Sequence, residues 1–130
     1  MSATARVLLV EDDKFLRRAC EASLRKRGFE VTTASDGEEG LRLARLAPPA
    51  DIILLDLLMP KIPGIDVLRA LKSQPETSRI PVLILSNSSR EDDRQQAMLL
   101  GAAGYHVKAN LSLRELGVQV DQLVQRDDSN

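Results

Sequence analysis

The chain alternates between short apolar runs and longer segments with helical periodicity, and this alternation limits the folds it can adopt. Five apolar runs have the length and composition of strands, and a helix-like segment follows each of them. Four of these runs end directly in polar residues: residues 7–10 precede Glu11, Asp12 and Asp13, residues 52–55 precede Asp56, residues 82–85 precede Ser86, and residues 105–107 precede Lys108. Strict alternation predicts an α/β fold, in which helices cover both faces of a parallel sheet.

The composition of the strands predicts their order in that sheet. The first, third and fourth runs are wholly apolar, as expected for strands buried on both faces, whereas residues 31–34 and 105–107 suit the edges. Short right-handed connections then favour a doubly wound, flavodoxin-like sheet of five strands in the order 2-1-3-4-5 with five helices. Ligands of such sheets bind beyond the carboxyl ends of the strands. The polar residues at the strand ends should therefore share one pocket.

Capping and turn residues predict where each helix begins and ends. The predicted helices cover residues 14–27 between Asp13 and Gly28, 36–46 from the N-cap Asp36, 64–74 before Pro75, 90–100 before Gly101, and a last helix from the N-cap Ser112. Residues 126–130 are predicted to form a frayed polar tail.

The length and net charge of the chain limit the classes of function that it can have. The 130 residues fit one domain over 1–130, with a core at about 6–124 and a polar tail at 125–130. A net charge of -1 gives no basic surface for nucleic acid, and no apolar stretch or signal peptide indicates a membrane, so we expect a cytoplasmic protein. Cys20 lies on the apolar face of the first helix and is predicted to be buried. His106, without a partner at ligand spacing, is predicted to be exposed.

Acidic side chains gathered in one pocket require a cation. Two carboxylates about 4 Å apart repel by about 4 kcal/mol at the effective dielectric of a protein surface. Oxygen ligands without cysteine or a second histidine favour Mg²⁺ where phosphate is handled. Lys108 adds an ammonium group and Ser86 a hydroxyl group. Placed around Asp56, these groups can neutralise a phosphoryl group while the aspartate attacks it.

The segments that carry these residues resemble the signature blocks of bacterial response-regulator receiver domains. The blocks are residues 7–13, residues 56–60 with Gly64 after them, residues 81–86 and residues 104–108. In this order and spacing the resemblance extends from residue 6 to about 124. It implies a stand-alone receiver, similar to chemotaxis receivers, that acts as a phosphoacceptor switch of a two-component system and not as an enzyme. A sensor histidine kinase or a histidine phosphotransfer protein would donate the phosphoryl group.

The resemblance also implies a role for each pocket residue. Asp56 would be the phosphoacceptor, and the phosphoryl group would be bound by Ser86, Lys108 and the backbone N–H of Asn87. Mg²⁺ would be bound by Asp12, Asp56 and the Leu58 carbonyl, and by Glu11 through water. Ser86 and Tyr105 would be the switch residues. Asp13 is the expected N-cap of the first helix instead of a ligand. The downstream protein target is expected to bind the face formed by the fourth helix, the fifth strand and the fifth helix.

Some positions depart from the family pattern. Ala109 follows Lys108 where the family usually has proline, so we expect a turn of different shape there. Asn87 is bulkier than the usual residue after the hydroxyl position, and Pro63 replaces a frequent acid. Leu58 and Ser88 occupy positions that influence phosphoryl lifetime in the family. Tyr105 fits an ordinary edge-strand aromatic as well as a switch.

Other interpretations start from the same residues. The basic residues of the first helix, Arg17 among them, are either its solvated face or part of a kinase-docking surface. An aspartyl-phosphate phosphatase typically has a second acid two residues after the nucleophile, where this chain has Leu58. A flavin or nucleotide binder needs a glycine-rich or hydroxyl-rich loop where this chain has Glu11 and Asp12. The alternative that the chain is a receiver fragment of a longer DNA-binding regulator or hybrid kinase stays open.

Overall fold

A computed structural model describes residues 4–128 and shows one five-stranded parallel sheet with helices on both faces. The strands are β1 (Arg6–Val10), β2 (Glu30–Ala34), β3 (Ile52–Asp56), β4 (Val82–Ser86) and β5 (Gly104–Val107). The helices are α1 (Lys14–Lys26), α2 (Gly37–Ala44), α3 (Gly64–Ser73), α4 (Glu91–Leu99) and α5 (Leu113–Asp128), and a 3-10 turn covers Lys108–Asn110. The strand order is β2-β1-β3-β4-β5, with all pairs parallel, which confirms the predicted fold.

The three central strands are buried on both faces. Along β3, alternate residues enter opposite layers of the core: Ile53 and Leu55 pack toward α2 and α3, and Ile52 and Leu54 pack toward α1 and α5. Because strand side chains alternate between faces, a wholly apolar strand needs a helical layer on each side. Each such leucine or isoleucine contributes about 1.5–3 kcal/mol by leaving water. The carboxyl ends of these strands are therefore anchored on both sides.

The predicted caps lie where the sequence places them. Asp13 Oδ1 accepts hydrogen bonds from the backbone N–H groups of Phe15 and Leu16, and Asp36 caps α2 in the same way. Gly28 has a φ of 100°, a left-handed conformation that glycine adopts without steric cost. The ends of α1 to α4 agree with the sequence-based bounds to within two residues.

The C-terminal segment differs from its prediction. Helix α5 continues to Asp128, so residues 126–128 are helical instead of frayed. Glutamine and arginine are good helix formers, so the composition of this segment is compatible with a helix. Ser129 and Asn130 lie outside the described residues. Within residues 4–128, none of the helices is long and apolar enough to cross a membrane.

Candidate phosphoacceptor and cation site

The carboxyl ends of β1 and β3 bring three acids together. One carboxylate oxygen each from Glu11, Asp12 and Asp56 lies within 4.8 Å of the others. Glu11 and Asp56 are only 0% and 1% exposed, whereas Asp12 is exposed at the mouth of the pocket. The parallel register places Val10 beside Leu55, and each acid follows directly. The pocket therefore arises from strand pairing, since Asp56 lies 45 residues after Glu11 in the chain.

Lys108 enters the same pocket from the turn after β5. Its Nζ lies 3.0 Å from Glu11 Oε2 and 3.2 Å from Asp56 Oδ2. Burial lowers the pKa of Lys108, but its hydrogen bond to Glu11 and the charge of Asp56 outweigh that effect, so its pKa is raised. The ammonium group therefore stays charged. Lys108 and Ala109 lie in a 3-10 turn with a trans peptide bond between them.

The single lysine does not neutralise the acids. Burial, followed by the neighbouring Asp12 and Glu11, raises the pKa of Asp56 to about 7. Two buried oxygens, Glu11 Oε1 and Asp56 Oδ2, make no hydrogen bond, although Asp56 Oδ2 lies close to Lys108. Buried carboxylate oxygens without partners are costly, and an oxygen-seeking cation would relieve that cost. The donor set consists of carboxylate oxygens alone and so fits a hard divalent ion such as Mg²⁺.

The loop from β3 to α3 places the backbone of the site. The N–H of Leu58 donates to Asp56 Oδ1 at 3.1 Å, and the N–H of Gly64 donates to Leu57 O at 2.9 Å. A Cβ at Gly64 would lie 2.3 Å from Asp56 O, closer than atoms can approach. Only glycine lets α3 begin directly against the end of β3. Leu58 is exposed at the rim of the pocket.

The loop from β4 to α4 connects the predicted switch residues. Ser86 is buried, and its Oγ accepts a hydrogen bond from the N–H of Ser88 at 3.0 Å. The half-buried Tyr105 donates its hydroxyl to Ser88 O at 2.9 Å. The Ser88 hydroxyl bonds to Asp93 in α4 and accepts from the N–H of Arg90 at 3.1 Å. Ser88 thus joins Ser86, Tyr105 and α4. We did not predict this connection, although Ser88 lies only two residues after Ser86 in the sequence.

The structure places the remaining residues differently from some predictions. Asn87 is exposed beside Ser86. His106 is half-buried and its Nε2 contacts Gln119 Oε1, so the prediction of an exposed strand residue is wrong because α5 packs over β5. Arg17 is predicted to lie on the solvated face of the first helix or on a kinase-docking surface. In the structure it is half-buried, and its Nη1 donates to the carbonyl oxygens of Glu11 and Asp12. Arg17 lies one helical turn after the N-cap Asp13, a spacing that directs its side chain back toward the strand end.

Comparison with known families tests the resemblance to receiver domains. The response regulator receiver domain model matches residues 7–120 of the chain. The chain belongs to this family. It is therefore a response regulator receiver domain, the signalling module of two-component systems, and its acidic pocket lies at the expected place in the fold. The resemblance inferred from the strand ends is confirmed.

Individual relatives agree with this assignment. The transcriptional regulatory protein PrrA of Mycobacterium tuberculosis is 42% identical, over 93% of this chain and 50% of its own length. The structure of a Francisella response regulator receiver domain has a TM-score of 0.88 at 30% identity and covers 95% of this chain and 99% of its own. The Mn²⁺-bound form of the response regulator Rcp1 has a TM-score of 0.78 at 31% identity, over 92% and 91% of the two chains. This chain spans about half or less of the length of the curated relatives it matches.

Proposed function

We propose that this receiver domain is a phosphorylation-dependent switch whose phosphoacceptor is Asp56. One observation carries the proposal: Asp56 is buried between two other acids and a charged lysine, and its Oδ2 makes no hydrogen bond. A carboxylate that only stabilised the fold would not be buried beside two other acids with a single lysine to balance them, because excess buried negative charge is costly. We propose a sensor histidine kinase or a histidine phosphotransfer protein as the phosphoryl donor.

The acidic cluster would hold Mg²⁺. Asp12, Asp56 and the backbone carbonyl of Leu58 are the proposed direct ligands, and Glu11 is the proposed ligand through water. Bound Mg²⁺ would supply positive charge that neutralises the transferring phosphoryl group and lets the carboxylates remain ionised together. The exposed Asp12 at the pocket mouth leaves a route by which the ion enters.

The chain's own residues would carry out the transfer. An oxygen of Asp56 attacks phosphorus, the new P–O bond forms as the bond from phosphorus to the donor imidazole breaks, and the imidazole leaves with that electron pair. Lys108, already beside Asp56 Oδ2, pairs with the new negative charge. The Ser86 hydroxyl turns from Ser88 toward the phosphoryl oxygens, and the backbone N–H of the exposed Asn87 donates to them as well.

Movement of Ser86 would then change the surface of the protein through hydrogen bonds. The Ser86 hydroxyl now holds the N–H of Ser88, and Ser88 in turn holds Tyr105 and α4. Release of this contact would reposition Tyr105 and change the face formed by α4, β5 and α5, to which a downstream protein target would bind. Shifting a two-state protein from 1:99 to 99:1 requires about 5.5 kcal/mol. A few charge-assisted hydrogen bonds of about 1.5–3 kcal/mol each meet this demand.

Intact mass spectrometry tests the proposal directly. The protein is incubated with acetyl phosphate and Mg²⁺, and we expect the wild type to gain the mass of one phosphoryl group. Asp56→Asn should gain none. Asp66→Asn is the matched control, since Asp66 is an exposed acid of α3 outside the pocket, and it should behave as the wild type does. Equal labelling of Asp56→Asn and the wild type would refute the proposal.

A phosphatase activity would give a different result. Leu58 stands 64% exposed where a second catalytic acid would be needed, so no side chain there can assist turnover. We expect no repeated release of phosphate from small phosphoesters.

Four expectations from the sequence stay predictions: a single domain over 1–130, stand-alone action, a cytoplasmic location and the lack of direct nucleic-acid binding. Relatives such as PrrA are named as transcriptional regulators and are about twice as long, so the alternative of a receiver within a longer regulator also stays open.

A further inference from the structure

The guanidinium group of Arg17 holds the backbone that carries two of the three acids. Its Nη1 donates to Glu11 O at 2.8 Å and to Asp12 O at 3.3 Å. The backbone N–H of Arg17 also donates to Asp13 O at 2.9 Å, as part of α1. The first turn of α1 is therefore tied to three successive carbonyl oxygens of the turn that follows β1.

The two acids differ in how else they are restrained. The Glu11 side chain accepts hydrogen bonds from the N–H of Asp13 and from Lys108, both at 3.0 Å. The Asp12 side chain is exposed at the pocket mouth. Its direction therefore depends strongly on the backbone of this turn, which Arg17 holds at two adjacent carbonyls.

We propose that Arg17 is a positioning residue for the cation site, so that Glu11 and Asp12 present their oxygens to one ion. This inference rests on the proposed Mg²⁺ site. A planar guanidinium offers N–H donors in fixed directions and can serve two carbonyls at once, whereas the lysine ammonium is a compact charge on a flexible stem. The Arg17 side chain is also half-buried, which limits its alternative conformations.

Charge and geometry make opposite predictions for the loss of Arg17. A positive charge near a cation site repels the cation, so removal of the charge alone would tighten Mg²⁺ binding. Removal of a group that orients the ligands weakens metal binding, typically by about 10-fold to 100-fold. The sign of the change therefore distinguishes the two roles.

Calorimetric titration with Mg²⁺ alone measures this sign. We compare the wild type with Arg17→Gln, Arg17→Lys and the control Arg18→Gln, which removes the same charge from an exposed neighbour in α1. Arg17→Gln should bind Mg²⁺ about tenfold more weakly, and Arg17→Lys should also bind more weakly despite its retained charge. Arg18→Gln should bind as the wild type does or slightly more tightly.

Phosphorylation by acetyl phosphate adds a second readout. A positioning role predicts that Arg17→Gln needs more Mg²⁺ for half-maximal labelling but approaches the wild-type rate when Mg²⁺ is saturating. Circular dichroism verifies that each variant is folded, and Arg17→Lys supplies the comparison if Arg17→Gln does not fold. Unchanged or tighter Mg²⁺ binding by the folded Arg17 variants would overturn this inference alone. Lack of Mg²⁺ binding by the wild type would overturn both the inference and the proposed cation site.

Discussion

Two polar clusters in this protein each contain a lysine, but they satisfy their polar atoms differently. In the connection from α3 to β4, Lys72 Nζ donates to Ser78 O at 3.1 Å and to Ile80 O at 2.8 Å. The fully buried Thr77 donates its hydroxyl to Leu71 O at 2.7 Å. In the pocket at the carboxyl end of the sheet, Lys108 faces two acids, and two buried carboxylate oxygens there make no hydrogen bond.

The pKa values reflect the same contrast. Burial lowers the pKa of Lys72, because its partners are neutral carbonyls that add no opposing charge. The pKa of Lys108 is raised, because the charges of Glu11 and Asp56 outweigh burial. A cluster completed by backbone carbonyls stabilises the fold, whereas a cluster with excess negative charge costs stability until a cation balances that charge. The difference separates a structural polar cluster from a binding site.

The largest expected effect comes from removing the lysine of the pocket. Lys108→Met leaves Glu11 and Asp56 without their cation, and we expect the free energy of unfolding to fall by about 3 kcal/mol at about pH 8 without metal. Lys72→Met removes only hydrogen bonds to neutral carbonyls and should cost about 1 kcal/mol. Urea denaturation measures both values. Equal losses in the two variants would show that the clusters do not differ as described.

Removing the charge of Asp56, the proposed phosphoacceptor, should change the free energy of unfolding in the opposite direction. The pKa of Asp56 in the folded protein is raised to about 7 from an ordinary value of 3.8, so the folded state favours its protonated form. Wild-type stability should therefore fall as the pH rises through this range, and Asp56→Asn should escape that loss. We expect the variant to be more stable by about 2 kcal/mol at about pH 8 without metal, and nearly equal to the wild type at about pH 4.

Thermal or urea unfolding across this pH range gives the difference between Asp56→Asn and the wild type. Mg²⁺ should reduce that difference, because a ligand that binds only the folded wild type adds about 2.7 kcal/mol at 100 times its dissociation constant. A difference that stays constant from acid to neutral pH would contradict the assignment of the raised pKa to Asp56.

The smallest expected effect lies in the structural cluster. Thr77→Val keeps the volume but leaves Leu71 O without its donor, and we expect the free energy of unfolding to fall by about 1 kcal/mol. Mg²⁺ affinity, followed by calorimetry, should not change. Thr32→Val, the same substitution at an exposed position of β2, should stay within about 0.5 kcal/mol of the wild type. A change in Mg²⁺ affinity in Thr77→Val would show that the two clusters, which we describe as independent, are coupled.

Most of the fold was predictable because local signals agreed with one another. Wholly apolar runs marked the buried strands, and the half-polar runs of β2 and β5 marked the edges. Asp13 and Asp36 marked helix starts through their side-chain oxygens. The end of α5 was less predictable, since a polar segment can be either helical or frayed when no apolar stripe decides between them.

The candidate site was predictable only as a set of strand ends. The topology predicted a meeting of Glu11, Asp12 and Asp56, because the carboxyl ends of neighbouring parallel strands lie together. The partners of Arg17, Ser88 and His106 did not follow. Each of these residues bonds across a loop or to another element, and the sequence pattern gives no sign of which polar group lies opposite.

The amino-acid sequence by itself determined the strand order, the helix starts and the residues that end at one edge of the sheet, since these depend on periodicity, capping and chain connectivity. The tertiary structure decided which buried carboxylate oxygens make no hydrogen bond and how Lys108 divides its contacts between Glu11 and Asp56. It also decided that Ser88 joins the pocket to Tyr105 and α4. Hydrogen bonds and charge interactions depend on distances of a few tenths of an ångström, which only the packed side chains determine.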